Sequence, residues 1–165
     1  MQYDLSSKIT LERTPERYYH STDMIESLRQ TRYEKLRTNI YADSTEGAIA
    51  IAQKVATLIR AKENEGERSV LGLSGGFSPL GVYDELVIMH LEENLSFADV
   101  VVFNVSEFFP VYDSERHSNT QLLRSYLLDK VDIKPENFYT PDSSINRSNV
   151  YDYCRHYEEL IEQYE

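Results

Sequence analysis

The chain has 165 residues, 41% of them hydrophobic, and a formal net charge of −11 at pH 7. This acidic balance argues against nucleic acid as a partner, because binding to a phosphate backbone depends on clustered Lys and Arg side chains. A membrane anchor and a leader are not expected either, since no apolar run approaches the roughly 18 residues of a spanning helix and the first residues lack a signal-peptide pattern.

The N-terminal part of the chain predicts two helices. In the first, Asp23 and Glu26 have the spacing of a capping box and precede a helical stripe. The second begins near Asp43, and we expect it to end at Gly66, a residue suited to a left-handed C-terminal cap. Its 3.6-residue period is carried by six apolar residues: Ala48, Ile51, Ala52, Val55, Leu58 and Ile59.

A short strand over 70–73 enters a glycine turn over 74–79, with the sequence Ser-Gly-Gly-Phe-Ser-Pro. The two glycines free the backbone from the Cβ restriction on φ, Ser78 suits a helix N-cap and Pro79 suits the first helical turn. The free N–H groups at the start of a helix form a phosphate-sized anion site. A tight turn without a ligand explains the pattern equally well. The helix that follows is expected to bury Leu80, Tyr83, Leu86 and Met89.

The strongest predicted strand covers 100–105, and its continuous apolar sequence is typical of a strand buried on both faces. Glu107 follows it directly. Because ligands of parallel sheets bind outside the carboxyl ends of the strands, we expect Glu107 to lie beside the glycine turn. Shielding by Phe108 and Phe109 predicts a raised pKa, suited to proton transfer. A solvated loop carboxylate is the alternative interpretation.

The C-terminal part predicts two helices separated by a short strand over 138–140. Ser118 and Gln121 form a capping box at the first helix, and Ser148 opens the second. His117, Ser118 and Asn119 are placed to contact a ligand, although capping alone explains Ser118.

The only cysteine of the chain, Cys154, lies on the apolar stripe of the last predicted helix, where we expect it to be core. It has no partner for an internal disulfide, which favours a reducing, cytoplasmic location. The histidines have no metal-ligand spacing, so no metal site is expected.

Alternating helices and strands predict an α/β fold, an open and mostly parallel sheet with helices on both faces. Three short strands make a narrow sheet with an exposed edge, and the chain stops at Glu165, at or near the end of an amphipathic helix. Because proteins normally cover or pair an exposed edge, we expect this chain to be the first part of a longer domain.

Four segments of the chain together resemble glucosamine-6-phosphate deaminases. They are 73–86, which contains the glycine turn, 101–108, which contains Asn-Val-Ser-Glu-Phe, Val-Asp-Ile-Lys-Pro-Glu-Asn over 131–137, and Cys-Arg-His-Tyr-Glu over 154–158. The resemblance implies that 40–165 is the N-terminal portion of a deaminase-like domain with Rossmann-like topology. It also implies that 1–39 is an N-terminal extension with one helix, in a diverged, long-form member.

The reaction that the resemblance implies is aldose–ketose isomerisation of glucosamine 6-phosphate with loss of ammonia. It implies a small-molecule sugar phosphate as the ligand, no cofactor, and a possible homo-oligomer. In the family the glycine turn holds the substrate through backbone and hydroxyl contacts. Carried over to this sequence, the substrate-binding residues are Ser74, Gly75, Gly76, Phe77 and Ser78.

The chain departs from the family at the catalytic positions. The family has Asp-Glu after the second strand, with the Asp as the base, whereas this chain has Ser106 followed by Glu107. A serine hydroxyl is a poor base near neutral pH. Phe77 stands in place of a family glycine and narrows the space for a ligand. The family's later ring-opening segment and phosphate-binding basic residues would lie beyond Glu165. Ser106 and Glu107 are therefore the catalytic candidates of a chain that we expect to be inactive alone.

Two other interpretations stay open. The turn sequence and the pair Ser118-Asn119 also resemble 6-phosphogluconolactonases, which are related hydrolases. Alternatively, the replacement at Ser106 indicates a non-catalytic sugar-phosphate-binding domain.

Overall fold

The computed structural model describes residues 24–25, 39–110 and 117–164. Met24 and Ile25 are helical, and the remainder of the helix predicted around them lies outside the described residues. The chain divides into two compact units, Met1–Asp43 and Ser44–Glu165, and the second contains the sheet. Across the described part of the chain, no helix has the length and apolarity to cross a bilayer.

The second unit alternates helices and strands, which confirms the predicted α/β class. Its elements in chain order are α1 (Ser44–Glu65), β1 (Ser69–Leu73), α2 (Leu80–Glu93), β2 (Val100–Asn104), α3 (Asn119–Tyr126), β3 (Phe138–Tyr139) and α4 (Val150–Glu162). Short 3-10 turns occupy Leu128–Lys130, Pro135–Asn137 and Arg147–Asn149.

The three strands form one parallel sheet in the order β1-β2-β3. Strands β1 and β2 pair along their whole length, with Leu73 opposite Asn104 at their carboxyl ends. The pairing continues past the strand end, because the N–H of Val105 donates to the carbonyl of Leu73 at 2.9 Å. The loops that follow β1 and β2 therefore leave the sheet side by side.

Strand β2 lies at the centre of the core, and all five of its residues are buried, as its continuous apolar sequence predicts. Side chains alternate between the faces of a strand. Val100 and Val102 belong to the core formed with the helices, which includes Ala52, Ile59, Tyr83, Leu86, Met89, Phe97 and Leu123. Phe103 instead stacks on Tyr139 at 4.9 Å and meets Tyr157 of α4 edge-on at 6.0 Å.

Helix α1 ends before Gly66, whose φ is 71°, as predicted, but its buried face is rotated from the predicted stripe. Ile51 and Leu58 are 47% and 45% exposed, and the buried residues are Ala52, Ala56 and Ile59. Small residues line the contact with α2, where a Cβ on Gly81 would lie 3.2 Å from that of Ala48. The small residues allow α1 and α2 to approach closely, so α1 buries alanines where the larger Ile51 and Leu58 were expected.

Helix α1 begins at Ser44, close to the predicted Asp43, but of the three serines predicted to start later helices only one does so. Ser118 caps α3, because its Oγ accepts the N–H of Gln121 at 3.2 Å. Ser78 does not cap α2: Pro79 is already helical, with φ −85° and ψ −3°, and occupies the N-cap position without a side-chain bond. Ser148 does not open α4 either, since Asn146 Oδ1 accepts its N–H at 3.1 Å and caps the preceding 3-10 turn.

Candidate functional site

The glycine turn contains one glycine in the left-handed region, Gly76, with φ 97°. Gly75 is not in that region. The turn is attached to α2, because the hydroxyl of Tyr83 donates to the carbonyl of Ser74 at 2.7 Å. Phe77 extends from the turn and is 86% exposed. Only Gly76 therefore uses the conformational freedom that the sequence predicted for both glycines of the turn.

A cleft of about 700 Å³ lies between this turn, the loop after β2 and the start of α3. It brings together four of the predicted site residues, Gly75, Gly76, Phe77 and Ser106. Ser74, Ser78 and Glu107 do not line it. The remaining wall residues are Phe108, Leu122 and the three residues near α3 that the sequence placed to contact a ligand, His117, Ser118 and Asn119. The glycine turn and the loop after β2 therefore lie side by side, as predicted, although Glu107 does not line the cleft between them.

Asn119, at the first position of α3, connects the two loops. Its Nδ2 donates to the carbonyl of Ser106 at 2.8 Å and approaches Ser106 Oγ at 3.4 Å. On its other side it lies against Gly75, where an added Cβ would come within 2.0 Å of Asn119 Oδ1. The sequence placed Asn119 near a ligand, but this bridge was not predicted.

The carboxylate of Glu107 accepts hydrogen bonds from the start of α3. Oε1 accepts the N–H of Asn119 at 2.8 Å and that of Phe108 at 3.0 Å. Oε2 accepts the N–H and the hydroxyl of Thr120 at 2.8 and 2.7 Å, and the hydroxyl of Ser118 at 3.1 Å. Two carboxylate oxygens offer about four lone-pair sites, so these donors leave none for a substrate proton.

The predicted raised pKa of Glu107 is wrong. Burial of the carboxyl raises its pKa, but the hydrogen bonds from Thr120, Asn119 and Phe108 oppose this effect and bring the net pKa below the ordinary 4.5. Bonds to the charged form favour ionisation, and a negative charge is also favoured at a helix N-terminus. Glu107 is therefore ionised near neutral pH.

A buried polar network supports the loop from below. Asn104 is fully buried, and its Nδ2 donates to Thr140 Oγ1 at 3.1 Å and to Thr120 Oγ1 at 3.4 Å. Its Oδ1 accepts the N–H of Ser106 at 3.4 Å. Neither threonine was predicted as a site residue from the sequence. Their positions just after β3 and in the first turn of α3 were the available signal, because both sites lie at the carboxyl edge of the sheet.

A second hollow, a groove of about 410 Å³, lies on the other side of the loop, between residues 105–109 and α4. Tyr153, Cys154 and Tyr157 of α4 line it together with Phe108 and Phe109. Cys154 is exposed, so the prediction that it is core is wrong. The loop stands away from α4 and leaves this face uncovered by the described residues.

The cleft supplies hydrogen bonds rather than charge. Within the described part of its wall, His117 is the only side chain able to carry a positive charge. Residues 39–110 and 117–164 contain no group of three His, Cys, Asp or Glu side chains arranged to hold a metal ion. Peptide N–H groups and hydroxyls are the groups that such a wall offers to an anion.

Comparison with known proteins gives consistent matches. The sequence model of glucosamine-6-phosphate isomerases/6-phosphogluconolactonase matches residues 42–165. A glucosamine-6-phosphate deaminase-like protein of Bacteroides thetaiotaomicron is 45% identical over 164 residues, 99% of this chain and 25% of the relative. Glucosamine-6-phosphate deaminase 2 of Giardia intestinalis is 34% identical over 119 residues, 72% of this chain and 43% of the relative.

Two solved structures share the fold. A monomeric glucosamine-6-phosphate deaminase superposes with a TM-score of 0.67 at 26% identity, covering 73% of this chain and 48% of that one. The 6-phosphogluconolactonase of Thermotoga maritima superposes with a TM-score of 0.58 at 22% identity, covering 70% and 50%.

This chain thus spans between a quarter and a half of the length of these relatives. The matched residues include the whole sheet, the glycine turn and the loop after β2. The chain belongs to the glucosamine-6-phosphate isomerase/6-phosphogluconolactonase family.

Proposed function

We propose that this chain supplies the substrate-binding half of a deaminase-type site, and that it binds glucosamine 6-phosphate without converting it. The observation that carries the proposal is the shared cleft of the glycine turn and Ser106 at the carboxyl ends of β1 and β2. The peptide N–H groups of Gly75 and Gly76 would bind ligand oxygens. Ser74, Phe77 and Ser78 would shape the turn that presents those groups.

We attribute the expected lack of turnover to the residue that stands at the position of the family's base. Isomerisation in the family moves a proton between C1 and C2, and the position of the family's base is Ser106 here. Glu107 does not replace it, because its oxygens are taken up by donors and its pKa is lowered. We assign Ser106 the role of a hydrogen-bonding group and Glu107 that of a positioning group for α3.

Three wider expectations belong to the same proposal. The net charge of −11 favours a small sugar phosphate over nucleic acid as the ligand. The single cysteine favours the reducing cytoplasm as the location. A homo-oligomer, which the resemblance implies, is testable by sedimentation of the purified chain.

The test is titration of the purified chain with glucosamine 6-phosphate, followed by the amide NMR signals of Gly75 and Gly76, together with an ammonia-release assay. We expect shifts of both amides and no ammonia above the buffer rate. Unmoved amides would contradict the binding site, and ammonia release would contradict the assignment of Ser106 and Glu107.

Gly76→Ala and Gly66→Ala form a matched pair for this titration. Both glycines have left-handed φ values, 97° and 71°, so either substitution strains the backbone by about 1 kcal/mol. Only Gly76 lines the cleft. We expect both variants to lose stability and Gly76→Ala alone to lose affinity; an equal loss of affinity in both would argue against the cleft.

The lactonase alternative is tested in the same experiment. This interpretation is favoured by the Ser-Gly-Gly-x-Ser-Pro turn and by Asn119, which lies against that turn. Hydrolysis of 6-phosphogluconolactone by the chain would establish it, and we expect none.

A further inference from the structure

The two glycines of the turn are required for different physical reasons. Gly76 has a φ of 97°, a conformation that L side chains rarely adopt. Gly75 has no such φ, so its backbone would accept alanine without strain. What excludes a side chain at position 75 is Asn119, whose Oδ1, Cγ and Cβ would lie 2.0, 2.2 and 2.6 Å from an added Cβ.

Asn119 is itself firmly held. Its backbone N–H donates to Glu107 at 2.8 Å, and its side-chain amide donates to the carbonyl of Ser106 at 2.8 Å. Ser118, the residue before it, caps α3 and is 1% exposed. To make room at position 75, the side chain would have to give up its hydrogen bond to Ser106, and its Cβ could move only with the backbone that Glu107 holds.

We propose that Asn119 is a positioning residue, which holds the glycine turn at a fixed distance from the Ser106 loop and thereby requires glycine at position 75. As regards the ligand, this inference rests on the proposed function. The bridge joins the ends of two neighbouring strands, and all three residues, Gly75, Ser106 and Asn119, line the cleft. The spacing of the cleft walls is thus set by one amide side chain.

The bridge also defines what Ser106 offers to a ligand. Asn119 Nδ2 approaches Ser106 Oγ as a donor at 3.4 Å, so the serine oxygen is used as an acceptor on that side. Its own O–H remains to donate into the cleft, which Ser106 lines. The ligand group that fits there is an acceptor oxygen, such as a hydroxyl or carbonyl oxygen of the sugar.

The test is a double-mutant cycle of Gly75→Ala and Asn119→Ala in the whole chain, measured by urea unfolding and by titration with glucosamine 6-phosphate. Residues in contact show coupling, whereas independent sites add. We expect Gly75→Ala to weaken the ligand affinity about tenfold in the native background. The loss should be smaller in the Asn119→Ala background, which removes the two closest atoms, Oδ1 and Cγ, and leaves only the Cβ at 2.6 Å. Gly81→Ala, a glycine packed on Ala48 instead, is the control and should show no coupling to Asn119→Ala.

Each outcome decides a separate part of the inference. Additive unfolding free energies for Gly75→Ala and Asn119→Ala would overturn the bridge, whether or not any ligand binds. Coupled unfolding with an unchanged affinity of Asn119→Ala would overturn its positioning role for the ligand. Failure of the unsubstituted chain to bind sugar phosphate would overturn the proposed function, while the unfolding cycle still decides the bridge.

Discussion

Glu107, which the sequence predicted as a catalytic residue, uses its carboxylate oxygens to accept hydrogen bonds from protein groups, whereas Asn119 connects the two loops of the cleft. Glu107 is a carboxylate beside the expected catalytic position, and its residue type suggested a base. Apart from one bond from the adjacent Phe108, its hydrogen bonds come from residues 11 to 13 positions further along the chain, Ser118, Asn119 and Thr120. No local sequence pattern predicts such donors, because their position depends on how α3 packs beside the end of β2. The sequence therefore located Glu107 correctly but not its partners or the sign of its pKa shift.

Replacing Glu107 tests its positioning role. In Glu107→Gln one acceptor oxygen becomes an NH₂ group that faces an N–H of α3, so we expect a loss of about 2 kcal/mol of unfolding free energy, from the charged hydrogen bonds. The measurement is urea unfolding at pH 7. Glu158→Gln, which changes an exposed glutamate of the groove wall inside α4, is the control and should change stability by less than about 0.5 kcal/mol.

The pH dependence of this loss has a definite sign. Because the pKa of Glu107 is lowered on folding, its contribution is present above the ordinary 4.5 and disappears as the pH falls below that value, through the folded pKa. The difference between Glu107→Gln and the unsubstituted chain should therefore shrink below pH 4.5. A difference that stays constant down to pH 2 would contradict the ionised state of Glu107.

At the scale of elements, the strands were predictable and the helix faces were only partly so. The strands β1 and β2 are short apolar runs bounded by turn residues, and each formed where its pattern lies. In helix α1 the 3.6-residue period does not predict the buried face, because the apolar arc is wide and the packing against α2 determines which part of it is buried. Small residues at the contact with α2 selected Ala52 and Ala56 over the larger Ile51 and Leu58.

Helix α4 is the element that departs most from its pattern. Its apolar stripe predicted burial, yet none of its residues, all within the described part of the chain, is buried. Its attachment is polar: the hydroxyl of Tyr157 donates to the carbonyl of Asn104 at 3.0 Å and approaches that of Tyr139 at 3.2 Å, and Tyr153 accepts the N–H of Asp142 at 2.7 Å. Directional bonds therefore orient this helix without covering its apolar side.

The exposure of Cys154 makes a prediction for this face. In the folded chain its thiol should react with a small thiol reagent within a few-fold of the rate in urea, because the thiol lies in an open groove. The measurement is the rate of alkylation followed by mass spectrometry, and Cys154→Ser is the control for specificity. Protection of the thiol by orders of magnitude would show that something covers α4 in solution.

Across the whole molecule, stability is expected to decrease from the central strand outward. Strand β2 is paired on both sides and buried throughout, whereas β3 pairs over two residues and α4 has no buried residue. We expect the backbone amides of β2 to exchange with deuterium most slowly, those of β1 faster and those of α4 fastest. Exchange of α4 as slow as that of β2 would contradict this order. NMR or mass spectrometry of the native chain provides the measurement.

The fold class and the meeting of two loops in one cleft followed from the sequence, because both depend on strand order and on the handedness of parallel connections. Side-chain networks did not follow. The links from Asn104 to Thr120 and Thr140 join residues 16 and 36 positions apart, and their geometry is set only once the sheet is assembled. The hydrogen-bond partners of Asn104 therefore could not be predicted before the positions of α3 and β3 were known.

The hydroxyl of Tyr157 makes the stability of the folded chain depend on pH in alkaline solution. Burial, followed by the nearby Tyr153, raises the pKa of this phenol, so the folded chain keeps it protonated where an unfolded chain would ionise it. Its contribution to stability is present below the ordinary 10.0 and lost as the pH rises above it. Glu107 acts in the opposite direction in acid. The carboxyl edge of this sheet therefore helps to set both the acid and the alkaline limit of the folded state.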